Sequence, residues 1–419
     1  MRTRRQILDY LFSLHRRGRI KYDLERIREA AARIGNPQAA YRSVHVAGTN
    51  GKGSVCSMVE AVLRRSGRRT GLFIKPHLIE FEERFLVDGS PVTSEEWLDI
   101  YASIEPKIKD LTLTFFEICA LVAFEVFRRA AVEWAVFETG MGGRLDATNV
   151  VVPRVSGITA ISLDHTDWLG NTLVDIAREK LGIVKPGVPV VMIEPGDAGV
   201  RAAAEEVCAQ REAPLVFVGE SWAEDITEDG EGVRFRHDGQ AYRVPLVGRH
   251  QALNALCAAE IARKAGITEP EELADGIGSV RIPGRFQVVR HGDRTVVFDI
   301  AHNPEAAQSL ARSLVMRFGE RAVCLVVGMM KDKDLDGILQ ALAPAAARIV
   351  VTQPDIPRAC PAADLAARAR LVHDRVEEVS RVVEAVEHAL QTEEQAACIA
   401  GSFYTVGEAM QTLDIKPYA

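Results

Sequence analysis

The stretch His45-Val46-Ala47-Gly48-Thr49-Asn50-Gly51-Lys52-Gly53-Ser54 decides how this chain is read. Residues 44–47 form a short β-rich run. Three glycines, a lysine and a hydroxyl residue follow, and residues 55–63 then carry helical apolar periodicity. Strand, loop and helix therefore succeed one another. Glycines let backbone N–H groups turn toward one centre, and a helix N-terminus adds the positive end of its dipole. Lys52 supplies a cation and Ser54 a hydroxyl suited to Mg²⁺. The ordinary phosphate-loop spacing G-x-x-x-x-G-K-[ST] is not met, because Val46 stands at the first glycine and Gly53 separates Lys52 from Ser54. On residues alone the competing reading is a glycine-rich turn with a solvated lysine. Glycines at 48, 51 and 53 between a strand and a helix favour a phosphate loop.

Outward from this loop, strand-like and helix-like segments alternate. Residues 134–137, 155–163, 188–193 and 215–218 are apolar runs of strand length. The pattern predicts an α/β protein with a largely parallel sheet. Between residues 233 and 247 the periodicity changes. Val233, Phe235, Tyr242, Val244 and Leu246 alternate around Asp238-Gly239, which predicts a β-hairpin. From Thr295 a second α/β series begins, with candidate strands at 296–298, 323–327, 349–351 and 398–400. Arg281-Ile282-Pro283-Gly284-Arg285 separates the two series, and Pro-Gly is a strong breaker. The expected domains are 1–284 and 285–419.

Further candidate groups fall at strand ends, where α/β proteins place ligands. Glu138 closes the 134–137 run, as an acid helping to hold a metal beside a phosphate loop should. Taken alone it reads more readily as an ordinary strand-end carboxylate. Gly140, Gly142 and Gly143 then permit close backbone approach, and Asp146 and Asn149 offer hydrogen-bonding groups. Asp164-His165-Thr166-Asp167 ends the next run, leaving His165 either structural or a ligand. Residues 176–185 read as a helix ending near Gly182, on which Lys180 and Lys185 look like solvated surface lysines.

Composition narrows the function classes. A length of 419 residues suggests two or three domains. Apolar residues make up 47% and charged residues 26%, values that exclude a disordered chain. A net charge of −7 gives no global attraction to nucleic acid or anionic membrane, so an anionic ligand must be held by local donors. Seven scattered cysteines without C-x-x-C spacing argue against a disulfide framework or structural zinc, and for a reducing, cytoplasmic setting. Asp9 and His15 interrupt the apolar residues near the N-terminus, which predict an amphipathic helix around Ile7, Leu8, Leu11, Phe12 and Leu14 and not a signal peptide. The most apolar segment, 118–127, contains Glu125 and is too short to span a membrane.

Together these motifs resemble the bacterial folylpolyglutamate synthase/dihydrofolate synthase family of the Mur ligase superfamily. The likeness runs nearly end to end. It covers residues 45–54, Thr114-Phe115-Phe116-Glu117, residues 138–149, Asp164-His165-Thr166 and Glu179-Lys180-Leu181-Gly182-Ile183. It continues through Gln251-x-x-Asn254, Pro283-Gly284-Arg285, Asp299-Ile300-Ala301-His302-Asn303-Pro304, Lys331-Asp332-Lys333-Asp334 and Gly401-Ser402-Phe403-Tyr404. The 45–54 spacing is that of the superfamily, which accounts for the misfit to the ordinary phosphate loop.

The resemblance implies a P-loop ATPase domain followed by a smaller Rossmann-like domain, with the site between them. It implies that ATP activates a carboxylate as an acyl phosphate, which the amino group of L-glutamate attacks. The acceptor is dihydropteroate or the γ-carboxylate of a folate. Gly48, Thr49, Asn50, Gly51, Lys52, Gly53 and Ser54 would bind phosphates, with Asn254, Arg285, Asp299 and His302 completing the nucleotide site. Ser54, Glu138, His165 and Lys180 would hold Mg²⁺, in two ions, with Lys180 carbamylated by CO₂. Lys52, His165 and Lys180 are thus the implied catalytic set. Lys75, Pro76, His77, Phe116, Arg144, Asp146 and Ser402 would face the acceptor and glutamate. A monomer is implied.

Four positions depart from the family pattern. Lys75 stands where serine is usual, Ile282 replaces tryptophan, Gln287 replaces glutamate and Ile300 replaces glycine. Lys75 keeps open a second reading, a Mur-type ligase acting on another carboxylate. A nucleotide-binding regulatory protein is disfavoured, since no N-K-x-D guanine-reading motif occurs.

Overall fold

The computed structural model describes residues 2–14 and 23–418; His15 lies outside them. Arg42–Ala47 (β1) is buried from Ser43 onward because parallel strands flank it on both sides. With it in one 8-stranded sheet lie Thr70–Phe73 (β2), Phe85–Val87 (β3), Ser90–Pro91 (β4), Trp134–Glu138 (β5), Val155–Ile158 (β6), Val190–Ile193 (β7) and Leu215–Val218 (β8). The order is β4-β3-β2-β5-β1-β6-β7-β8. From β1 the chain runs to one side for β2 and later returns to the other side for β6. That reversal is where an open α/β sheet forms a ligand crevice. The register pairs Val46 with Glu138 and Ala47 with Ile158, so three strand ends are level around the phosphate loop.

Strand alternation sorts the side chains onto two faces. Trp134 and Val136 of β5 join Val44 and Val46 against the helices Lys52–Arg65 and His250–Lys264. Ala135 and Phe137 point the other way, into a cluster with the helix Phe115–Arg129. Phe137 is fully buried and touches Phe73, Phe124 and Phe127, so truncating it to Ala would cost about 3–5 kcal/mol.

Glu224–Glu228 (β9), Val233–His237 (β10) and Gln240–Val244 (β11) form an antiparallel sheet. The expected hairpin is present, with Phe235 and Tyr242 stacked at 5.0 Å. The second large sheet contains Gln287–His291 (β12), Arg294–Asp299 (β13), Val323–Val327 (β14), Ala346–Gln353 (β15), Val376–Arg381 (β16) and Ala396–Ala400 (β17), ordered β12-β13-β17-β14-β15-β16.

Both large sheets are largely parallel, as expected, with β3, β4 and β12 pairing antiparallel at the edges. Two sequence expectations are corrected. The second series starts at β12, before Thr295. The 155–163 run leaves the sheet at Ile158 because its next carbonyls are taken by the phosphate loop: Thr49 N–H donates to Ala160 O at 2.8 Å, and Thr49 Oγ1 to Ser162 O at 3.0 Å.

The two large sheets meet through the segment after β2. Leu78 and Ile79 pack against the core of the second sheet. A Cβ on Gly407, in the helix Phe403–Thr412, would lie 2.3 Å from Leu78 O. Tyr418 packs in the opposite sense, against the first sheet's core.

Candidate functional site

Gly51 caps the helix Lys52–Arg65 with φ +85°, a left-handed conformation open to glycine. A Cβ there would meet Asn254 Oδ1 at 2.5 Å, and one on Gly48 would meet Thr159 Oγ1 at 1.8 Å. The loop therefore rests directly on its neighbours. Asn254 is buried behind it and donates to Gln251 Oε1 at 3.0 Å. Asn50 reaches across to the second half of the chain, where its side-chain amide donates to Glu305 Oε2 at 3.3 Å.

Two lysines converge on one carbonyl. Lys52 Nζ donates to Gly48 O and Thr49 O, each at 2.9 Å. Lys180 Nζ donates to Gly48 O at 2.8 Å. Lys180 sits in the last turn of the helix Leu173–Leu181 and is 3% exposed, so its reading as a surface lysine is overturned. Lys185 is likewise half-buried and donates to Asn149 O and Oδ1. Burial, then the neighbouring Lys75, pulls the Lys52 ammonium down to about 8, with Glu138 and Asp164 opposing. Burial, then Lys52, pulls Lys180 down to about 7. Crowding of cations in a desolvated cleft readies it for an anionic ligand.

Glu138 is buried at the end of β5. A Cβ on Gly53 would lie 3.8 Å from its Oε2, so the carboxylate overhangs the first turn that carries Ser54. The Lys75 backbone N–H donates to Oε2 at 3.2 Å, and the Lys75 ammonium lies 3.9 Å from Oε1. A carboxylate and a hydroxyl are hard oxygen donors, and phosphate oxygens from a nucleotide on the loop would complete the sphere of Mg²⁺ or Mn²⁺. The residues present thus fit a divalent cation. His165 caps the short helix Thr166–Leu169 and is 54% exposed in its side chain, 3.7 Å from Asp164. Burial lowers its pKa, Asp164 opposes this, and Lys75, Lys180 and Lys333 add to it.

The 139–149 loop is built around Asp146. Its Oδ2 accepts from Gly140 N–H at 2.6 Å and Met141 N–H at 3.0 Å; its Oδ1 accepts from Thr148 N–H at 3.0 Å and Thr148 Oγ1 at 2.5 Å. Both carboxylate oxygens are engaged within the loop. Thr148 has spent its proton, so it accepts from His45 Nε2 at 2.8 Å. Arg144 pairs with Glu179 Oε1 beside Lys180, and Phe116 backs Gly140. His77 Nδ1 accepts from Arg84 Nε at 2.8 Å, next to Phe12 and Phe81.

From the second sheet, Asp299 ends β13 and accepts from Phe286 and Ala301 N–H, both at 2.8 Å. Burial raises its pKa and Arg285 opposes. His302 hydrogen-bonds Ile300 O through Nδ1 at 3.0 Å and leans on Phe403. Ser402 caps the Phe403–Thr412 helix, accepting from Thr405 N–H at 3.1 Å. The structure thus gathers Lys52, Lys75, Glu138 and Lys180 around the phosphate loop, while Asp299, His302 and Ser402 stand on the second sheet. Sequence reading missed the contacts of Glu305 with Asn50 and of Thr148 with His45. Both are non-local, and no motif marked either pair.

The Mur ligase middle domain matches residues 46–262, and the Mur ligase glutamate ligase domain matches residues 284–403. A curated Escherichia coli protein named dihydrofolate synthase/folylpolyglutamate synthase is 34% identical over 414 residues, covering 98% of this chain and 95% of its own. The solved Mycobacterium tuberculosis folylpolyglutamate synthase complexed with ADP and AMPPCP aligns with a TM-score of 0.87 at 32% identity, over 98% of both chains. A bifunctional folylpolyglutamate synthase/dihydrofolate synthase with Mn, AMPPNP and L-glutamate bound aligns at 0.84 and 31% identity, over 99% of both chains.

Proposed function

This chain belongs to the Mur ligase family, in its folylpolyglutamate synthase/dihydrofolate synthase branch, and from that premise we propose how its residues carry out the reaction. It is an ATP-dependent ligase that adds glutamate to folates. In our reading it takes two acceptors, dihydropteroate and the γ-carboxylate of a folate. Its working units are 1–284 and 285–419, and it acts as a cytoplasmic monomer. Seven buried free thiols support the reducing setting. Among the described residues, no helix is long and apolar enough to cross a membrane.

The convergence of Lys52 and Lys180 on Gly48 O carries this reading. Loop N–H groups and Lys52 bind the ATP phosphates, and Lys52 leaves the loop carbonyls to do so. Asn254 holds the loop from behind, while Arg285, Asp299 and His302 bind the nucleotide from the second half. The acceptor carboxylate attacks the γ-phosphorus, ADP leaves, and an acyl phosphate forms. The glutamate amine attacks the acyl carbon, and phosphate departs with amide formation. Such transfers depend on positioning and charge stabilisation more than on an acid–base pair.

Ser54, Glu138 and His165 would hold a divalent cation, whose chemistry is neutralisation of charge between phosphates and acceptor. Lys180, with its pKa drawn toward neutrality, supplies an amine able to take up CO₂ and release a proton. The resulting carbamate would present oxygen ligands to a second ion. The acceptor lies toward Lys75, Pro76, His77, Phe116, Arg144 and Asp146, with Asp146 acting by shaping its loop; Ser402 serves the glutamate side. Phosphate release by the purified protein with ATP, Mg²⁺ and L-glutamate tests the assignment. Turnover is expected on adding dihydropteroate and on adding tetrahydrofolate. Turnover with neither overturns the folate assignment.

A further inference from the structure

Lys75, a departure from the family pattern, touches the phosphate site. Its backbone N–H anchors Glu138 Oε2, and its ammonium stands 3.9 Å from Glu138 Oε1. Lys52 and Lys180 already crowd the same cleft from the loop side, both bonded to Gly48 O. Lys75 thus pairs with a buried carboxylate that overhangs the turn bearing Ser54, with Lys52 as a second cationic neighbour. An ammonium and a divalent cation seeking the same carboxylate oxygen repel one another, and in a cleft of low effective dielectric that repulsion is weakly screened. A serine at this position would keep the N–H anchor and impose no such repulsion.

We propose that Lys75 holds Glu138 in the nucleotide-free protein and competes with the divalent cation for it, so that metal entry requires release of the ammonium. This rests on the reading of Glu138 as a metal ligand. Lys75 is a positioning residue: it governs when Glu138 is available. The released ammonium remains beside the phosphate loop, where nucleotide phosphates offer it an alternative anion.

Binding of Mn²⁺ alone to the nucleotide-free protein, counted from the electron paramagnetic resonance of the free ion, tests the competition. Lys75→Ser should tighten Mn²⁺ about fivefold, the net worth of one partly exposed ion pair that the cation no longer has to displace. Lys75→Arg should stay within about twofold of wild type, because the charge is kept. Glu138→Gln combined with Lys75→Ser should abolish the gain. Unchanged or weaker Mn²⁺ affinity in Lys75→Ser, with the thermal midpoint preserved, overturns the proposal. A gain that survives Glu138→Gln overturns it too, and with it the metal role of Glu138. Because no acceptor is present, failure of the folate assignment would appear in the turnover assay and leave these affinities untouched.

Discussion

Lys180 shows how far a side chain's role depends on its surroundings. An ammonium that is 3% exposed, bonded to Gly48 O and beside Lys52 is held near neutrality. Replacing it with Ala should lower turnover about a hundredfold or more, on the scale of losing one preorganised electrostatic group. Short-chain carboxylates or bicarbonate should partly restore it; wild-type turnover in Lys180→Ala would contradict the carbamate. His45 makes a second residue-level case. It is fully buried, donates to Thr148, and burial pushes its pKa down to about 3 from 6.5. Between those values the unfolded chain binds a proton that the folded one does not. Stability therefore falls as pH drops from 6.5 toward 3, by up to about 1.4 kcal/mol per pH unit for this group. Urea midpoints of His45→Gln should show a shallower acid slope than wild type over that range.

The helix that carries Lys180 is fixed by contact with the 139–149 loop. A Cβ on Gly182 would fall 2.3 Å from Arg144 Cβ and 2.5 Å from its Cα, and one on Gly143 would meet Lys180 O at 2.7 Å. Backbone cannot yield as a flexible side chain can, so Gly182→Ala should shift the helix end. About a tenfold loss of kcat with retained far-ultraviolet dichroism is expected, since small misplacements of reacting groups are costly. Element legibility followed the same physics. β8 and β14 appear where apolar runs are continuous and bounded by turns. β2 was missed because it is four residues long and contains Gly71, which reads as a breaker. The fold uses that glycine to let Phe127 approach, where a Cβ would lie 2.6 Å from the ring. β16 was missed because Glu377, Glu378, Ser380 and Arg381 mask strand periodicity at a sheet edge.

Across the whole molecule, the two sheets meet at the segment that also carries Lys75 and His77. Leu78 and Ile79 bury themselves in the second core, and Leu78 O lies against Gly407. The junction between the two halves therefore depends on a close backbone fit. Gly407→Leu should wedge this junction open. A larger radius of gyration by small-angle scattering and about a tenfold rise in KM for ATP are expected; an unchanged radius and KM would show that the junction does not govern closure.

The sequence by itself determined the α/β alternation, the phosphate loop and the family, because these depend on short-range periodicity and spacing. Strand-end position offered Glu138 and His165 as candidates, and resemblance alone marked Lys180. Tertiary structure alone decided that Lys180 is buried, that Asp146 is engaged within its own loop, and that Lys75 faces Glu138. Asp146 is settled by the fold of its own loop, while the burial of Lys180 and the pairing of Lys75 arise from segments far apart in the chain, whose packing sets dielectric and partner together. No local pattern encodes either.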